Sequence, residues 1–266
     1  MACYRNLDRK RLWLTFALVV MVAASSGLAL HARAQEEAPR PPHQEWPFYG
    51  VFGTYDQAAL QRGYQVYKEV CSACHAVKHL YFRDLTELGY SEDQVKGMAA
   101  QAQVQDGPND EGQMFQRPGR PSDPMPKPFP NDQAARAANN GALPPDLSLI
   151  VKAREGGADY VYGILTGFKD PPKDFKMTEG TYYNEYFAGH QIKMPPPLNA
   201  DQLKYADGTP ATVQQEAHDV VSFLTWAAEP NLDQRHRMGF KVMLFLIIAT
   251  GVFYAAKRKI WSRIEH

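Results

Sequence analysis

The sequence predicts a mainly α-helical fold with long irregular insertions and one C-terminal transmembrane helix. Apolar residues recur with helical periodicity before residue 71 and again over 213–228, whereas no alternating pattern is long enough for a major sheet. Residues 238–256 form an apolar run of 19 residues, interrupted only by Lys241 near its start. At about 1.5 Å per residue this run is roughly 28 Å long as a helix, enough to cross the hydrocarbon core of a bilayer.

The most specific functional motif is the sequence CSACH at residues 71–75, which has the C-x-x-C-H spacing of a c-type haem attachment site. Two thiols three residues apart can each add to a vinyl group of one porphyrin, and the histidine that follows becomes an iron ligand. A thioredoxin-like redox pair would leave His75 unexplained, and a structural zinc site would need further Cys or His ligands at suitable spacing. The motif therefore predicts one haem c, attached through Cys71 and Cys74 and ligated by His75.

The two ends of the chain predict export and a membrane anchor. Residues 1–34 have the basic, apolar and small-residue parts of a secretory signal peptide, with cleavage expected after Ala34; the alternative is an uncleaved N-terminal anchor. We expect a haem domain over 35–236, a transmembrane anchor over 237–257 and a basic tail over 258–266. Because c-type haem is attached outside the cytoplasm in bacteria, the prediction is a single-pass inner-membrane protein with a periplasmic haem domain and a cytoplasmic C-terminus.

The formal net charge of zero hides an uneven distribution of charge along the chain. Residues 35–236 carry 18 basic and 27 acidic side chains, a net charge of −9, whereas both ends of the chain are basic. An acidic domain that carries a redox centre favours a basic protein partner, because opposite charges steer the encounter over long distances. No nucleic-acid partner is expected.

Several helices are predicted inside the haem domain. One begins at Asp56, an expected N-cap, and runs into the haem motif, with Gly63 and Tyr67 placed so that another helix could cross closely. The helix over 213–228 is the expected partner, because a helix before C-x-x-C-H packed on a helix near the end of the domain resembles the arrangement in small cytochromes c. Ser91 and Gln94 have the spacing of a capping box that opens a short helix. Residues 106–131 are expected to be largely irregular because they are rich in Gly, Pro and Asn. Further short helices are expected over 132–139, 147–153 and 159–166.

The residues alone leave the sixth ligand of the iron open. Met194 is favoured because it lies in the sequence QIKMPPPL at 191–198, where the prolines stiffen the loop, and a methionine ligand raises the haem potential. His190 is the runner-up, and Met125 also lies between prolines. His79 is too near His75 to reach the opposite face of the same iron. The other candidates are His218 on a predicted helix, His236 beside the membrane segment, and Met98, Met114 and Met177.

Several sequence runs, taken in order, resemble the cytochrome c1 family, which provides the haem subunit of cytochrome bc1 complexes. They are CSACH at 71–75, RAANNGALPPDLS at 136–148, GGADY at 156–160, MPP at 194–196 and TWAAEP at 225–230. The resemblance extends from Trp46 to the C-terminus and implies a cytochrome c-like haem domain with long irregular insertions.

The resemblance also implies roles for individual residues. Cys71 and Cys74 would hold the haem by thioethers, and His75 and Met194 would be the axial ligands of the iron. Arg154 would pair with a haem propionate through a charge-assisted hydrogen bond. The implied lining of the haem crevice is Pro145, Ile150, Tyr160, Leu165 and Phe187.

The function implied by the resemblance is electron transfer from a Rieske iron–sulfur protein to a soluble, basic cytochrome c. The chain would work beside cytochrome b in a quinol-oxidising complex in the lipid bilayer, and by itself it would catalyse no reaction. One alternative is a stand-alone c-type electron carrier that is tethered to the membrane. Another is a haem enzyme with an open iron site, which usually carries a second haem, whereas this chain has one motif.

Overall fold

The computed structural model describes residues 38–262, and the chain from Pro39 onward forms one compact unit. The predicted signal peptide over 1–34 and the last four residues of the predicted basic tail lie outside the described residues. The fold is mainly helical, as predicted. Its α-helices are α1 (Gln57–Glu69), α2 (Glu92–Ala100), α3 (Asp132–Ala138), α4 (Gly157–Thr166), α5 (Val213–Ala228) and α6 (Leu232–Trp261). Two 3₁₀ helices cover Cys71–Ala73 and Phe82–Leu88, and four short strands are β1 (Gln103–Asp106), β2 (Phe115–Pro118), β3 (Tyr182–Tyr183) and β4 (Gln191–Ile192).

Polar side chains fix where the first helices begin. The Asp56 carboxylate accepts a hydrogen bond from the Ala58 N–H at 3.0 Å, so the predicted N-cap of α1 is confirmed. Ser91 and Gln94 form the predicted capping box of α2, in which each side chain accepts from the backbone N–H of the other residue. These caps satisfy N–H groups that have no partner within the helix.

The core of the domain is the crossing of α1 and α5, which the sequence predicted. A Cβ atom added to Gly63 would lie 2.0 Å from the carbonyl oxygen of Asp219, so the two helix backbones are in direct contact there. The Arg62 guanidinium donates to both carboxylate oxygens of Asp219, at 2.8 and 3.0 Å, beside this contact. On the other side the ring of Phe223 packs against Tyr67, with ring centres 5.6 Å apart. Only glycine allows this approach of the two backbones.

The helix predicted over 147–153 is wrong, because this segment is a series of turns. The N–H groups of Ile150 and Lys152 each bond a carbonyl three residues back, at 3.2 and 3.0 Å. The Asp146 carboxylate accepts from the Ser148 N–H, and the Leu147 N–H bonds the Ala76 carbonyl instead of a helical partner. Bonds to the neighbouring segment therefore replace the ladder of a helix.

A small hairpin lies partly inside the region that was expected to be irregular. Strands β1 and β2 pair antiparallel, from Gln103 opposite Pro118 to Asp106 opposite Phe115. Arg117 holds the hairpin to the domain, because its guanidinium bonds Asp106 and reaches the buried Asp123 at 2.6 Å. The strands are only four residues long and none of their residues is buried, so their sequence carries almost no strand signal.

Helix α6 is long enough and apolar enough to cross a membrane. It begins at Leu232, five residues before the predicted anchor, and its first turns are tied to the haem domain. The Asp233 carboxylate accepts from the Tyr55 N–H at 3.1 Å, and the Tyr55 hydroxyl donates to the Glu229 carbonyl at 3.0 Å. The Glu229 carboxylate in turn binds Lys152 and Arg235, at 2.9 and 2.5 Å. Helix α6 is therefore fixed to the domain by several side chains.

A fully buried carboxyl group lies in the first turn of α5. Glu216 is 0% exposed, and neither of its side-chain oxygens has a hydrogen-bond partner among residues 38–262. Burial raises the pKa of Glu216 to about 7; the nearby Leu203 N–H opposes this shift, and the negative charges of Asp201 and Asp219 add to it. The folded protein therefore keeps this carboxyl protonated at a pH at which the unfolded chain has released the proton.

We expect Gly63→Ala to lower the free energy of unfolding by about 1–3 kcal/mol or more, because the new methyl group meets a backbone carbonyl that cannot turn away. Gly97→Ala is the matched control, since a Cβ atom there meets nothing within 4 Å in α2. That control should stabilise the protein by about 0.5–1 kcal/mol. Denaturant unfolding of both variants, followed by the visible haem spectrum, measures the two changes in the free energy of unfolding. Equal changes in the two variants would contradict the close crossing.

The contribution of Glu216 to the free energy of unfolding should fall as the pH rises from about 4.5 to about 7, because the unfolded chain loses the Glu216 proton in this interval before the folded protein does. Glu216→Gln should remove this slope and stabilise the protein above neutral pH by about 1–3 kcal/mol, since the amide cannot ionise. Urea unfolding at a series of pH values measures the slope of the free energy of unfolding against pH. Glu179→Gln, at an exposed site, should keep the wild-type slope; an unchanged slope in Glu216→Gln would mean that Glu216 is ionised in the folded protein.

Candidate haem-binding site

The C-x-x-C-H motif occupies one tight turn at the C-terminal end of α1. The N–H groups of Cys74 and His75 both bond the Cys71 carbonyl, at 3.1 and 2.9 Å, so the two thiols and the imidazole project from a single turn. Burial, and to a lesser extent the neighbouring Cys74, raises the pKa of the Cys71 thiol to about 12. The negative end of the α1 dipole also disfavours a thiolate at this position. A redox pair needs a thiol of lowered pKa, and the shift at Cys71 has the opposite direction from the one that a thioredoxin-like pair needs.

His75 is oriented as a metal ligand would be. Its Nδ1 lies 2.8 Å from the Pro145 carbonyl oxygen, which can only accept, so Nδ1 carries the proton and Nε2 keeps its lone pair. Desolvation lowers the pKa of His75, which keeps the ring neutral. The Tyr67 hydroxyl donates to the His75 carbonyl at 3.2 Å and holds the backbone of the same residue. A hydrogen bond on the remote ring nitrogen is the usual support of a ligating histidine.

The segment that carries Pro145 is clamped to the chain just beyond the motif. The two oxygens of Asp146 accept from the N–H groups of Lys78 and Ser148, both at 3.0 Å. The fully buried Ser148 hydroxyl accepts from the His79 N–H at 3.1 Å. Asp146 and Ser148 are in one of the runs that carry the family resemblance, but the sequence assigned them no role. The Pro-Asp pair, which is typical of a turn closed by the aspartate side chain, was the available signal.

The predicted crevice residues lie on several separate elements. Ile150 is buried in the core, Tyr160 and Leu165 on α4 are half-buried against it, and Pro145 is exposed beside His75. Phe187 is half-buried in the turn before β4, where its carbonyl accepts the His190 N–H at 2.7 Å. In the structure Pro145 is in direct contact with His75. That Ile150, Tyr160, Leu165 and Phe187 line the same crevice stays a prediction.

Arg154 lies on the surface close to Tyr160. Burial raises the pKa of Tyr160, and the positive charge of Arg154 partly offsets this shift, so the two side chains are near each other. Gly156 and Gly157 separate them, with φ angles of +82° and +52°, a backbone that only glycine adopts at low cost. An exposed guanidinium beside an aromatic side chain suits a haem propionate, and this role stays a prediction.

The Met194 loop is joined to the segment that leads to Pro145. The Lys193 side chain donates to the Asn140 carbonyl at 3.1 Å, five residues before Pro145. Strand β4 ends two residues before Met194 and pairs with β3, which limits the start of the loop. Met194 itself is half-buried.

Most of the other candidate ligands have contacts of their own. His218 stacks on Trp46 with ring centres 4.6 Å apart, and His190 stacks on Tyr183 at 5.5 Å. His236 bonds the Gly53 carbonyl at 2.7 Å, and Met125 is 5% exposed within the hydrophobic core. These placements favour Met194, whose ligand role stays a prediction.

The residues of this site fit a c-type haem. Cys71 and Cys74 are free thiols, one half-buried and one exposed, and His75 presents a neutral ring with a free Nε2. Residues 38–262 contain no group of three or more His, Cys, Asp or Glu side chains that could hold a metal ion. The described part of the chain therefore gives no support to the zinc alternative.

Comparison with known proteins gives a consistent set of relatives. The sequence matches the model of the Cytochrome C1 family over residues 46–264. It is 50% identical over 268 residues to a cytochrome b/c1 of Bradyrhizobium diazoefficiens, a match that covers 92% of this chain and 39% of that longer protein. It is 47% identical to the cytochrome c1 of Rhodospirillum rubrum, with 92% of this chain and 97% of the relative covered. It is 46% identical to a mitochondrial cytochrome c1 haem protein of Arabidopsis thaliana, over 94% of this chain and 83% of the relative.

We expect Asp146→Ala to lower the free energy of unfolding by about 1–3 kcal/mol, because the N–H groups of Lys78 and Ser148 lose their acceptor. Denaturant unfolding of the haem-loaded protein in detergent measures the change. Asp110→Ala, at an exposed site in the hairpin loop, should leave the midpoint unchanged. Asp146→Asn keeps one acceptor oxygen and should lie between the two. An Asp146→Ala protein as stable as the wild type would show that this clamp does not hold the segment.

Proposed function

The chain belongs to the cytochrome c1 family, and we propose that it accepts single electrons from a Rieske iron–sulfur protein and passes them to a soluble, basic cytochrome c. Membership of this family supports a haem-carrying electron-transfer subunit of a cytochrome bc1 complex. The relative named cytochrome b/c1 supports cytochrome b as a second partner. The observation that carries the proposal is the hydrogen bond from His75 to Pro145 at the end of the C-x-x-C-H turn, which prepares Nε2 for iron.

Each residue of the site then has a defined task. Cys71 and Cys74 would hold the haem covalently, His75 and Met194 would bind its iron, and Arg154 would pair with a propionate. Pro145, Ile150, Tyr160, Leu165 and Phe187 cover the ring and exclude water from it. Bound in this way, a haem supplies a one-electron iron couple whose potential methionine ligation raises. The chain makes or breaks no substrate bond, so catalysis belongs to the whole complex.

The proposed arrangement in the membrane follows the sequence prediction. The signal peptide ends at Ala34, the haem domain spans 35–236 on the periplasmic side, α6 crosses the bacterial inner membrane through 237–257, and the basic tail 258–266 is cytoplasmic. The long apolar helix of the structure and the bacterial relatives support a single-pass inner-membrane protein.

The junction between domain and anchor favours a subunit over a stand-alone tethered carrier. A carrier that shuttles between partners gains from a flexible linker. Here Tyr55 and Glu229 fasten the domain to the first turns of α6, so the domain keeps one orientation on its membrane helix. A haem enzyme would need an open iron site, which a methionine ligand at residue 194 would close.

The test of the function is purification in mild detergent through a C-terminal tag, followed by a reduced-minus-oxidised visible spectrum. We expect b-type haem bands to accompany the c-type band, because the chain resides in a complex with cytochrome b. A c-type band alone, from intact membranes, would contradict the complex and favour the tethered carrier. Rapid binding of carbon monoxide by the native protein would favour the haem enzyme.

Replacement of Met194 by leucine should lower the haem potential by on the order of 0.1 V or more, because the iron loses its thioether ligand. Redox titration of the purified protein measures the potential. Met125→Leu is the matched control, since Met125 also lies between prolines but is buried in the core. That control should leave the potential unchanged, and a Met194→Leu protein with the wild-type potential would exclude Met194 as a ligand.

A further inference from the structure

A groove of about 340 Å³ lies where the haem domain meets the start of α6. One wall is the segment Val51–Thr54, and the other is formed by the first turns of α6. The side chains that matter for its chemistry are Val51, Phe52, His236, Arg237, Phe240 and Lys241. No step of the proposed electron transfer uses any of them.

The wall formed by Val51–Thr54 is held in place. The His236 ring bonds the Gly53 carbonyl at 2.7 Å, and the Phe52 ring lies beside the Phe240 ring with centres 6.2 Å apart. A Cβ atom added to Gly53 would lie 2.4 Å from the Phe48 carbonyl, so the turn that presents this segment is tight. Val51 and Phe52 are nevertheless 74% and 77% exposed. A fixed segment that points two large apolar side chains outward is a surface suited to an apolar environment.

The position of the groove on α6 identifies that environment. The apolar run of α6 begins at Met238, directly after Arg237, so the groove lies where the helix enters the hydrocarbon. Arg237 and Lys241 are one turn apart, about 6 Å along the axis, and both line the groove. Cationic side chains at this depth lie among lipid headgroups, while the phenylalanines reach the acyl chains.

The charges of the groove select the kind of lipid. The lining combines the two basic side chains of Arg237 and Lys241 with the neighbouring rings of Phe52 and Phe240, which matches a phosphate group joined to an acyl chain. The acidic residue of the lining, Asp233, is engaged with the Tyr55 N–H at 3.1 Å.

We propose that this groove binds an anionic phospholipid from the leaflet on the haem-domain side, with its phosphate between Arg237 and Lys241 and an acyl chain along Phe52 and Phe240. The proposal rests on the membrane-anchored arrangement proposed above. The bound lipid contacts both the segment Val51–Thr54 and α6, and so strengthens the attachment of the haem domain to α6 at the membrane surface.

The experiment uses the purified haem-loaded complex, stripped of lipid in detergent and returned to phosphatidylcholine vesicles with or without phosphatidylglycerol. The phosphatidylglycerol retained per haem after repurification gives the apparent affinity. The double variant Arg237→Gln/Lys241→Gln should bind phosphatidylglycerol about 30-fold more weakly, because each basic side chain near a membrane surface contributes about fivefold. The control Lys96→Gln/Lys127→Gln removes the same charge from two exposed sites on the domain and should retain the wild-type amount.

A second variant tests the apolar wall separately. Phe52→Ser should weaken retention of phosphatidylglycerol and phosphatidylcholine alike, since it removes contact with the acyl chain and no charge. Equal affinity of the wild type and Arg237→Gln/Lys241→Gln for phosphatidylglycerol would overturn the proposal, as would equal retention of both lipids by the wild type. The visible spectrum of each sample tests the proposed function separately from lipid binding. The presence of both c-type and b-type bands shows that the electron-transfer complex is intact, whatever lipid is bound.

Discussion

The structure depends on the contact between the backbones of α1 and α5 at Gly63. Since no side chain separates the two helices there, the crossing has one geometry, and the Arg62–Asp219 pair fixes its register. The haem motif begins two residues after α1 ends, so the direction of α1 decides where both thiols and His75 lie. A covalent cofactor adds to this need for accuracy, because two bonds and an iron ligand must be made from one turn of the chain.

The second constraint is that the other half of the site is made of turns rather than helices. The Pro145 carbonyl can accept a hydrogen bond from the His75 ring because Asp146 and Ser148 tie their segment to the chain beyond the motif. In a helix, the Pro145 carbonyl would be directed along the axis to a residue four places later and would be lost to His75. Because the backbone of this segment is irregular, the Pro145 carbonyl is free to accept a hydrogen bond from His75.

Elements with a strong local signal were predictable from the sequence. Helices α1 and α5 follow from periodicity, Asp56 and Ser91 mark the starts of α1 and α2 by capping chemistry, and Gly63 indicated the crossing. The failures have a common physical cause. The segment 147–153 has helical composition but bonds Ala76 and His79 instead, through the Leu147 N–H and the Ser148 hydroxyl. The β1–β2 hairpin is held by Arg117, whose side chain reaches Asp106 and Asp123. Side-chain bonds and bonds to other segments decide both, and a periodic pattern carries no information about them.

The junction at α6 connects these constraints to electron transfer. Electron transfer needs a short distance between donor and acceptor, and one or both must move when the partners lie on different proteins. Tyr55, Glu229 and Asp233 bind the domain to α6, and Glu229 also reaches Lys152, two residues from Arg154. With α6 in the membrane as proposed, a haem attached at the end of α1 would be held at a fixed height and orientation above the bilayer. The proposed partner proteins would then have to approach it, and the net charge of −9 over residues 35–236 would favour the approach of a basic partner.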